Sequence, residues 1–258
     1  MSDANVPQRS ASVPRHDPDS LRLTTYNVHG CRGSDGRVRP ERILDVIFRS
    51  NSEIVALQEL DGTSCVEFFA KQLKMELFFV AARPRRKGEG SYGNAILTRL
   101  PAMLVRAASL PRLHAASEGR AAQWVRMATE FGTIDVLNTH LGLLRDETTL
   151  QAESLLGPEW LSAAELGPYS VLCGDFNARP GSPAYRRLCS RLRDAQLGLP
   201  RPLPTFPALF PLVRIDHVLT GRALAVTHVQ VPSNANARWA SDHRPLTVDL
   251  SPVAERAA

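Results

Sequence analysis

Asp175 and Asn177 stand where an apolar run, Tyr169-Ser170-Val171-Leu172-Cys173, stops at Gly174. Such a run reads as a buried strand, because Val-Leu-Cys can lie between packed layers and a carboxylate cannot. The Gly-Asp-Phe-Asn stretch therefore opens a loop at the strand's end. On extended chain, side chains two positions apart point the same way, so Asp175 and Asn177 can hold one water molecule between a carboxylate and an amide. A carboxylate in that position can take the water's proton. The same tetrapeptide also suits a turn in which Asp and Asn bond their own backbone. What decides between them is whether other strand ends supply partners.

Several do. Leu21 to Val28 reads as a strand whose end presents Asn27, with Gly30 and Gly33 turning the chain beyond it. Pro40 opens a helix to about Ser50, with Ile43, Leu44, Ile47 and Phe48 on one face. Ile54 to Leu57 is a short buried strand that ends in Gln58 and Glu59, and Thr63 is placed to cap a helix reaching about Met75. After a strand at Leu77 to Val80 the pattern turns to strands alone: Asn94 to Thr98, Ala102 to Ser109, Ala121 to Phe131 and Ile134 to His140. The last two read as a hairpin joined across Gly132-Thr133. Helices are expected over Asp146 to Leu156, Glu159 to Leu166 and Pro183 to Arg193, and a proline-rich loop over Leu199 to Pro211. Strands at Ile215 to Leu219, Ala225 to Val231 and Pro245 to Leu250 close the chain, with Ser241-Asp242-His243 just before the last. Two such runs, each with polar residues at strand ends, suggest two sheets face to face with helices outside and the polar ends gathered on one rim.

Read in order, Tyr26-Asn27, Leu57-Gln58-Glu59, Gly93-Asn94-Ala95-Ile96-Leu97, Asn138-Thr139-His140-Leu141, Gly174-Asp175-Phe176-Asn177, Ile215-Asp216-His217 and Ser241-Asp242-His243 resemble the endonuclease/exonuclease/phosphatase superfamily. The resemblance implies an α+β fold, a four-layer α/β/β/α sandwich of two mainly antiparallel sheets with the site at their top. One catalytic domain over 21–252 is expected, flanked by a disordered tail at 1–20 and a short one at 253–258. It also implies that His243 contacts the scissile phosphate while Asp216 pairs with its ring, since an imidazole needs such a partner to hold tautomer and orientation. Asp175 would orient and deprotonate the water, Asn177 would fix its direction, and His140 would donate to a phosphate oxygen or the leaving group. Asn27, Glu59 and Asp242 offer oxygen donors with no cysteine near, a set that suits Mg²⁺ or Mn²⁺ rather than zinc. Asn94 and Arg120 are candidate substrate-binding residues on the rim. Taken singly, Glu59 and Asp242 also suit surface turns, His140 and His243 suit structural roles, Asn94 suits a turn amide and Arg120 a hairpin salt bridge. His217, His29 and His228 read as structural or solvent-facing.

The function expected is a Mg²⁺-dependent phosphoesterase, most readily a phosphodiesterase, acting as a monomer on an anionic phosphoester. A net charge of +5, 31 basic against 26 acidic residues, falls short of a dedicated nucleic-acid binder. The loops between motifs are also short for gripping a duplex, apart from 81–92 and 199–211. Nucleic acid is the less favoured substrate, and a catalytically silent phosphate-binding module is a further alternative. The apolar loop Pro204-Thr205-Phe206-Pro207-Ala208-Leu209-Phe210-Pro211-Leu212 is either packed over the sheet edge or suited to a phospholipid headgroup with its acyl chains nearby. The basic run Arg83-Pro84-Arg85-Arg86-Lys87 is either a solvated loop or a phosphate contact. Four cysteines, far apart and without a C-x-x-C pair, suggest neither zinc nor a disulfide framework. With no signal-peptide core in the first twenty residues, a cytoplasmic address is expected.

Overall fold

A computed structural model describes residues 20–84 and 90–253. The expected N-terminal tail up to residue 19, Arg85, Arg86 and Lys87 of the basic run, and residues 254–258 lie outside the described residues. In chain order the first half comprises β1 (Leu21–Asn27), α1 (Pro40–Ser50), β2 (Ile54–Asp61), α2 (Thr63–Leu73), β3 (Glu76–Pro84) and β4 (Ser91–Thr98). Next come β5 (Ala102–Ser109), β6 (Ala121–Thr129), β7 (Gly132–His140), α3 (Arg145–Leu156), β8 (Tyr169–Asp175) and α4 (Pro183–Cys189). The chain closes through β9 (Arg193–Asp194), β10 (Asp216–Thr220), β11 (Leu224–Gln230), α5 (Ala235–Ala240) and β12 (Leu246–Pro252).

Two six-stranded sheets result, ordered β11-β12-β1-β2-β4-β3 and β5-β6-β7-β8-β10-β9. Each is antiparallel except for one central parallel pair, β1 with β2 and β7 with β8. A parallel pair needs a crossover, and α1 and α3 supply one in each half. Between the sheets lies a core that includes Leu23, Ile96, Val125, Val136, Val171 and Val248. Outside the first sheet, Ile43 and Ile47 of α1 and Phe69 of α2 pack on Val55 and Leu57. Outside the second, Ala152 and Leu155 of α3 and Leu188 of α4 pack with Trp124 and Leu172. The expected four layers are therefore present.

Directly beneath the rim the two sheets are pinned by amides. Gln58 Nε2 donates to Asn138 Oδ1 at 2.7 Å, and Asn138 Nδ2 donates to the carbonyls of Leu57 and Ala95 at 3.0 and 2.9 Å. Both side chains are fully buried, so each unmade bond would cost about 1–3 kcal/mol, which makes the facing of the sheets specific as well as stable.

Several boundaries differ from the sequence expectation, each for a local reason. Gly62 rather than Thr63 precedes α2 as its cap, in a conformation with φ 97 that favours glycine. The β6–β7 hairpin turns at Glu130-Phe131, with Gly132 already paired to Thr129. Residues 159–166 form turns instead of a helix: Pro158 interrupts the ladder, and Trp160 and Leu161 are pressed into the outer core. The helix from Pro183 stops at Cys189 because Arg193 and Asp194 are needed to pair with Thr220 and Leu219. No helix among the described residues is long and apolar enough to cross a membrane.

Candidate active site

The carboxyl ends of the two parallel pairs meet on one rim. β1 ends at Asn27, β2 carries Glu59 near its end, and β7 and β8 end opposite each other at His140 and Asp175. Gly174 makes that last pairing possible: a Cβ there would lie 1.8 Å from the Thr139 carbonyl oxygen, and its φ of 139 is closed to most side chains. A register shift in β2 between Leu57 and Leu60 turns Glu59 out of the strand, with φ 60. Asn177 is also left-handed, at φ 47. Such backbone is costly for residues other than glycine and gathers at functional sites.

Asn27 links the halves. Its Nδ2 donates to Glu59 Oε1 and to Asp175 Oδ2, both at 2.9 Å, while its Oδ1 accepts from the His29 backbone at 3.0 Å. Asp175 Oδ1 accepts from the Asn177 backbone at 2.9 Å, the local turn that the sequence posed as one of its alternatives. The expectation that Asp175 and Asn177 lie parallel on extended chain fails, since the left-handed turn sends the Asn177 amide elsewhere. Its Nδ2 donates to the Leu141 carbonyl at 3.1 Å and lies 3.0 Å from His140 Nε2.

Asp216 holds the other imidazole. Its Oδ2 is 2.9 Å from His243 Nδ1 and also accepts from the Thr205 hydroxyl, and Phe206 packs on the His243 ring with centroids 4.8 Å apart. Burial opposes charge on His243, but the charge and hydrogen bond of Asp216, with Asp175 and Asp242, outweigh it and raise the pKa to about 10. Its Nε2 points back to Asp175 Oδ2, 3.7 Å away. Burial, reinforced by the charge of Asp216 and offset in part by His243, pushes Asp175 up to about 6. His140 is the opposite case: burial first, then the charges of Arg120 and His243, hold its pKa well below the ordinary value. Arg120 Nη1 lies 2.9 Å from His140 Nδ1, so both ring nitrogens face groups that can only donate; a neutral imidazole accepts on one nitrogen, and the charged guanidinium makes the stronger bond, which puts the ring proton on Nε2. That Nε2–H faces Asp175 Oδ2 at 3.5 Å and Glu59 Oε1 at 3.9 Å, into the open site.

Glu59, Asp175, His140 and His243 share a cavity of about 380 Å³ with Arg83, Tyr92, Glu118, Arg120 and Phe206. A larger cavity of about 860 Å³ adjoins it, the two sharing Glu59, Arg83 and Tyr92. Of the rim residues expected, Arg120 is buried behind His140 and braced by Glu118 at 3.4 Å. Asn94, expected on the rim, is instead buried: it donates to the Ala121 carbonyl at 3.0 Å and stitches the sheets without lining the cavity. Asp242 lies apart from that cavity's lining, its Oδ2 2.6 Å from His29 Nδ1. His29, read from sequence as structural, thus sits against an expected metal ligand. His217 is fully buried, its Nε2 donating to the Ala178 carbonyl at 2.9 Å, as a structural histidine should.

For a metal ion, Glu59, His140 and Asp175 each offer a ligand atom, all within 4.8 Å of one another. Arg120 has taken the one free lone pair of neutral His140, which leaves oxygen donors. Glu59 and Asp175, with the spare lone pair of Asn27 Oδ1, form an oxygen set that fits a hard divalent cation. Tyr92 and Glu118 carried no signal in the sequence, and Thr205 stood there only as part of the apolar loop. The Arg83 guanidinium, 4.0 Å from the Tyr92 ring centroid, was visible only as part of a basic run.

A two-sheet sandwich with a carboxylate, two imidazoles and an oxygen cluster on one rim is the architecture of a phosphoester hydrolase. Residues 24–243 match the model of the Endonuclease/Exonuclease/phosphatase family, and the chain belongs to that family. It is accordingly a hydrolase of phosphoester bonds, in a metal-dependent family. The chain is 28% identical to a protein of Escherichia coli (strain K12) named as uncharacterized protein YbhP, over 90% of this chain and 96% of that one. Among solved structures, an endonuclease/exonuclease/phosphatase family protein from Bacteroides thetaiotaomicron superposes with a TM-score of 0.76 at 19% identity, covering 93% of this chain and 97% of that one. The human Nocturnin catalytic domain with bound sulfate superposes with a TM-score of 0.72 at 20% identity, covering 91% and 94%.

Proposed function

We propose that the protein is a Mg²⁺-dependent phosphodiesterase that attacks phosphorus with a water molecule activated by Asp175. The observation that carries this reading is the setting of Asp175: a buried carboxylate between the Asn27–Glu59 pair and the His243–Asp216 pair, raised to about 6 and so close to the value a general base needs near neutral pH. Asp175 takes the water's proton while Asn27 and the Asn177 backbone hold the carboxylate in place. His243, kept cationic by Asp216, offers Nε2–H to a phosphoryl oxygen. Neutral His140 offers its own Nε2–H beside Asn177 Nδ2, so that an oxygen settling between those two donors relieves their mutual opposition. A Mg²⁺ ion held by Glu59, with Asn27 and Asp175 beside it and Asp242 with His29 as an outer contact, would neutralise the anionic oxygens that otherwise repel a nucleophile.

We further propose a phospholipid headgroup diester as the substrate. Leu143, on the wall of the cavity, is 71% exposed, and Phe210 and Leu212, in the loop that carries Phe206, are 75% and 81% exposed. Large apolar side chains left in water around a polar site support contact with acyl chains or a membrane surface. The deciding experiment is a panel of phosphoesters with Mg²⁺, Mn²⁺ or chelator: phospholipid vesicles, a soluble diester, a sugar monophosphate, and single- and double-stranded oligonucleotides. Fastest turnover on vesicles supports the reading. Turnover confined to the sugar monophosphate, or to the oligonucleotides, overturns the substrate assignment, and none on any substrate favours a silent binding module.

A further inference from the structure

Cys31 and Cys65 stand 34 positions apart in the chain, and the fold brings their sulfurs to 2.6 Å. Both are free thiols. Cys31 is buried at the end of a 3-10 turn, His29–Cys31, in which His29, Gly30 and Cys31 are all left-handed. Cys65 is half-buried in the first turn of α2. Both line the larger cavity, the one that shares Glu59 and Tyr92 with the site. Cys173, by contrast, is sealed in the core with its thiol donating to the Leu137 carbonyl.

The position of the pair gives it a consequence. The turn ending at Cys31 follows Asn27 and carries His29, whose backbone holds Asn27 Oδ1 and whose ring holds Asp242. The helix carrying Cys65 follows β2, which carries Glu59 and ends at Asp61. A bond between the two sulfurs would therefore tie together the segments that set the Asn27–Glu59 contact.

We propose that Cys31 and Cys65 are a covalent modification site, closing reversibly to an intramolecular disulfide by exchange with a low-molecular-weight disulfide such as glutathione disulfide. Cys65, reachable from the cavity, loses its proton to water and attacks one sulfur of the reagent; its S–S bond breaks and one glutathione leaves as thiolate. The Cys31 thiol then attacks the Cys65 sulfur, its proton passing to the second glutathione as that sulfur is expelled. Two protein thiols are oxidised, one disulfide is reduced to two thiols, and the two protons end on the departing glutathiones. The closed form holds the two segments at fixed separation, while the open form lets them move independently. This inference does not depend on which phosphoester is the substrate.

The test uses the full chain, equilibrated in buffers of rising oxidised-to-reduced glutathione ratio, trapped by alkylation and mapped by mass spectrometry. The expected result is a single cross-linked peptide joining Cys31 to Cys65, with two hydrogens lost, reopened by excess reduced glutathione, while Cys173 and Cys189 stay unlinked. The melting temperature of the wild-type chain should rise on oxidation and that of Cys65→Ser should not. A stable mixed disulfide on Cys65 with Cys31 still alkylated on unfolding would overturn the proposal, as would linkage of Cys31 to a different cysteine or no reaction at any ratio. Should Cys65→Ser fail to fold, the peptide map of the wild-type chain decides alone.

Discussion

At Asp175 the proposed role as base and the stability of the fold pull in opposite directions. Its folded pKa, about 6, lies above the ordinary value of 3.8, so the fold holds the proton more tightly than the unfolded chain does. The stability it contributes is present below about pH 4 and is lost as pH rises through about 6; at neutral pH the ionised group costs on the order of 2–3 kcal/mol. Asp175→Asn removes that charge while keeping the volume. In metal-free protein its melting temperature should exceed that of the wild type at pH 7, and the difference should shrink toward pH 4. The same variant should slow hydrolysis by about 10²–10⁴-fold, the range for loss of a general base. A variant that is inactive but no more stable would separate the role in chemistry from the burial cost. The pH profile of kcat/KM should rise with ionisation of Asp175 near 6 and fall as His243 loses its proton near 10, and added divalent cation should move the acid limb lower. A flat profile across the acid limb would argue against Asp175 as the base.

Strand register, more than any single contact, places the two halves of the site. His140 and Asp175 oppose each other because β7 and β8 pair in parallel, and at Gly174 the Thr139 carbonyl leaves no room for a Cβ. Gly174→Ala should cost about 2–4 kcal/mol, from a forced left-handed backbone and a clash with the Thr139 carbonyl, and should lower kcat by spreading His140 from Asp175. Chemical denaturation and steady-state kinetics on the same preparation check both. Most elements were legible in the sequence, because apolar runs that stop at a polar residue mark strands entering a rim. Pro40 to Ser50 and Ala102 to Ser109 are found where periodicity and composition place them. The misses have physical causes. α5 is six residues, too short to show a helical period, and is started by the Asn234 side chain accepting from Ala237. Residues 159–166 look helical, yet packing of Trp160 outweighs propensity there. Residue types at strand ends were readable, but their partners were not. That Arg120 fixes the His140 tautomer, that His29 reaches Asp242, and that Cys31 meets Cys65 are facts of tertiary distance that no local spacing encodes.

At the scale of the whole molecule, two similar halves each contribute one parallel strand pair, and the site exists only where their carboxyl ends meet. The first half supplies Asn27 and Glu59, and the second supplies His140, Asp175 and Asp216; Asp242 and His243 arrive on the segment that leads back into the first sheet. The buried amides Gln58 and Asn138 hold the halves in register just below. In the proposed reaction this junction directs a water molecule, with Asp175 as base and a hard cation at Glu59, onto phosphorus. The most direct measurement is hydrolysis of a soluble phosphodiester in heavy-oxygen water, with Mg²⁺, with chelator, and with Mg²⁺ restored. Heavy oxygen should appear in the phosphoryl product and not in the alcohol, the rate should vanish with chelator and return with the ion, and Asp175→Asn should remain slow throughout. Full activity in excess chelator would rule out a cation at Glu59, and wild-type turnover by folded Asp175→Asn would rule out Asp175 as the base.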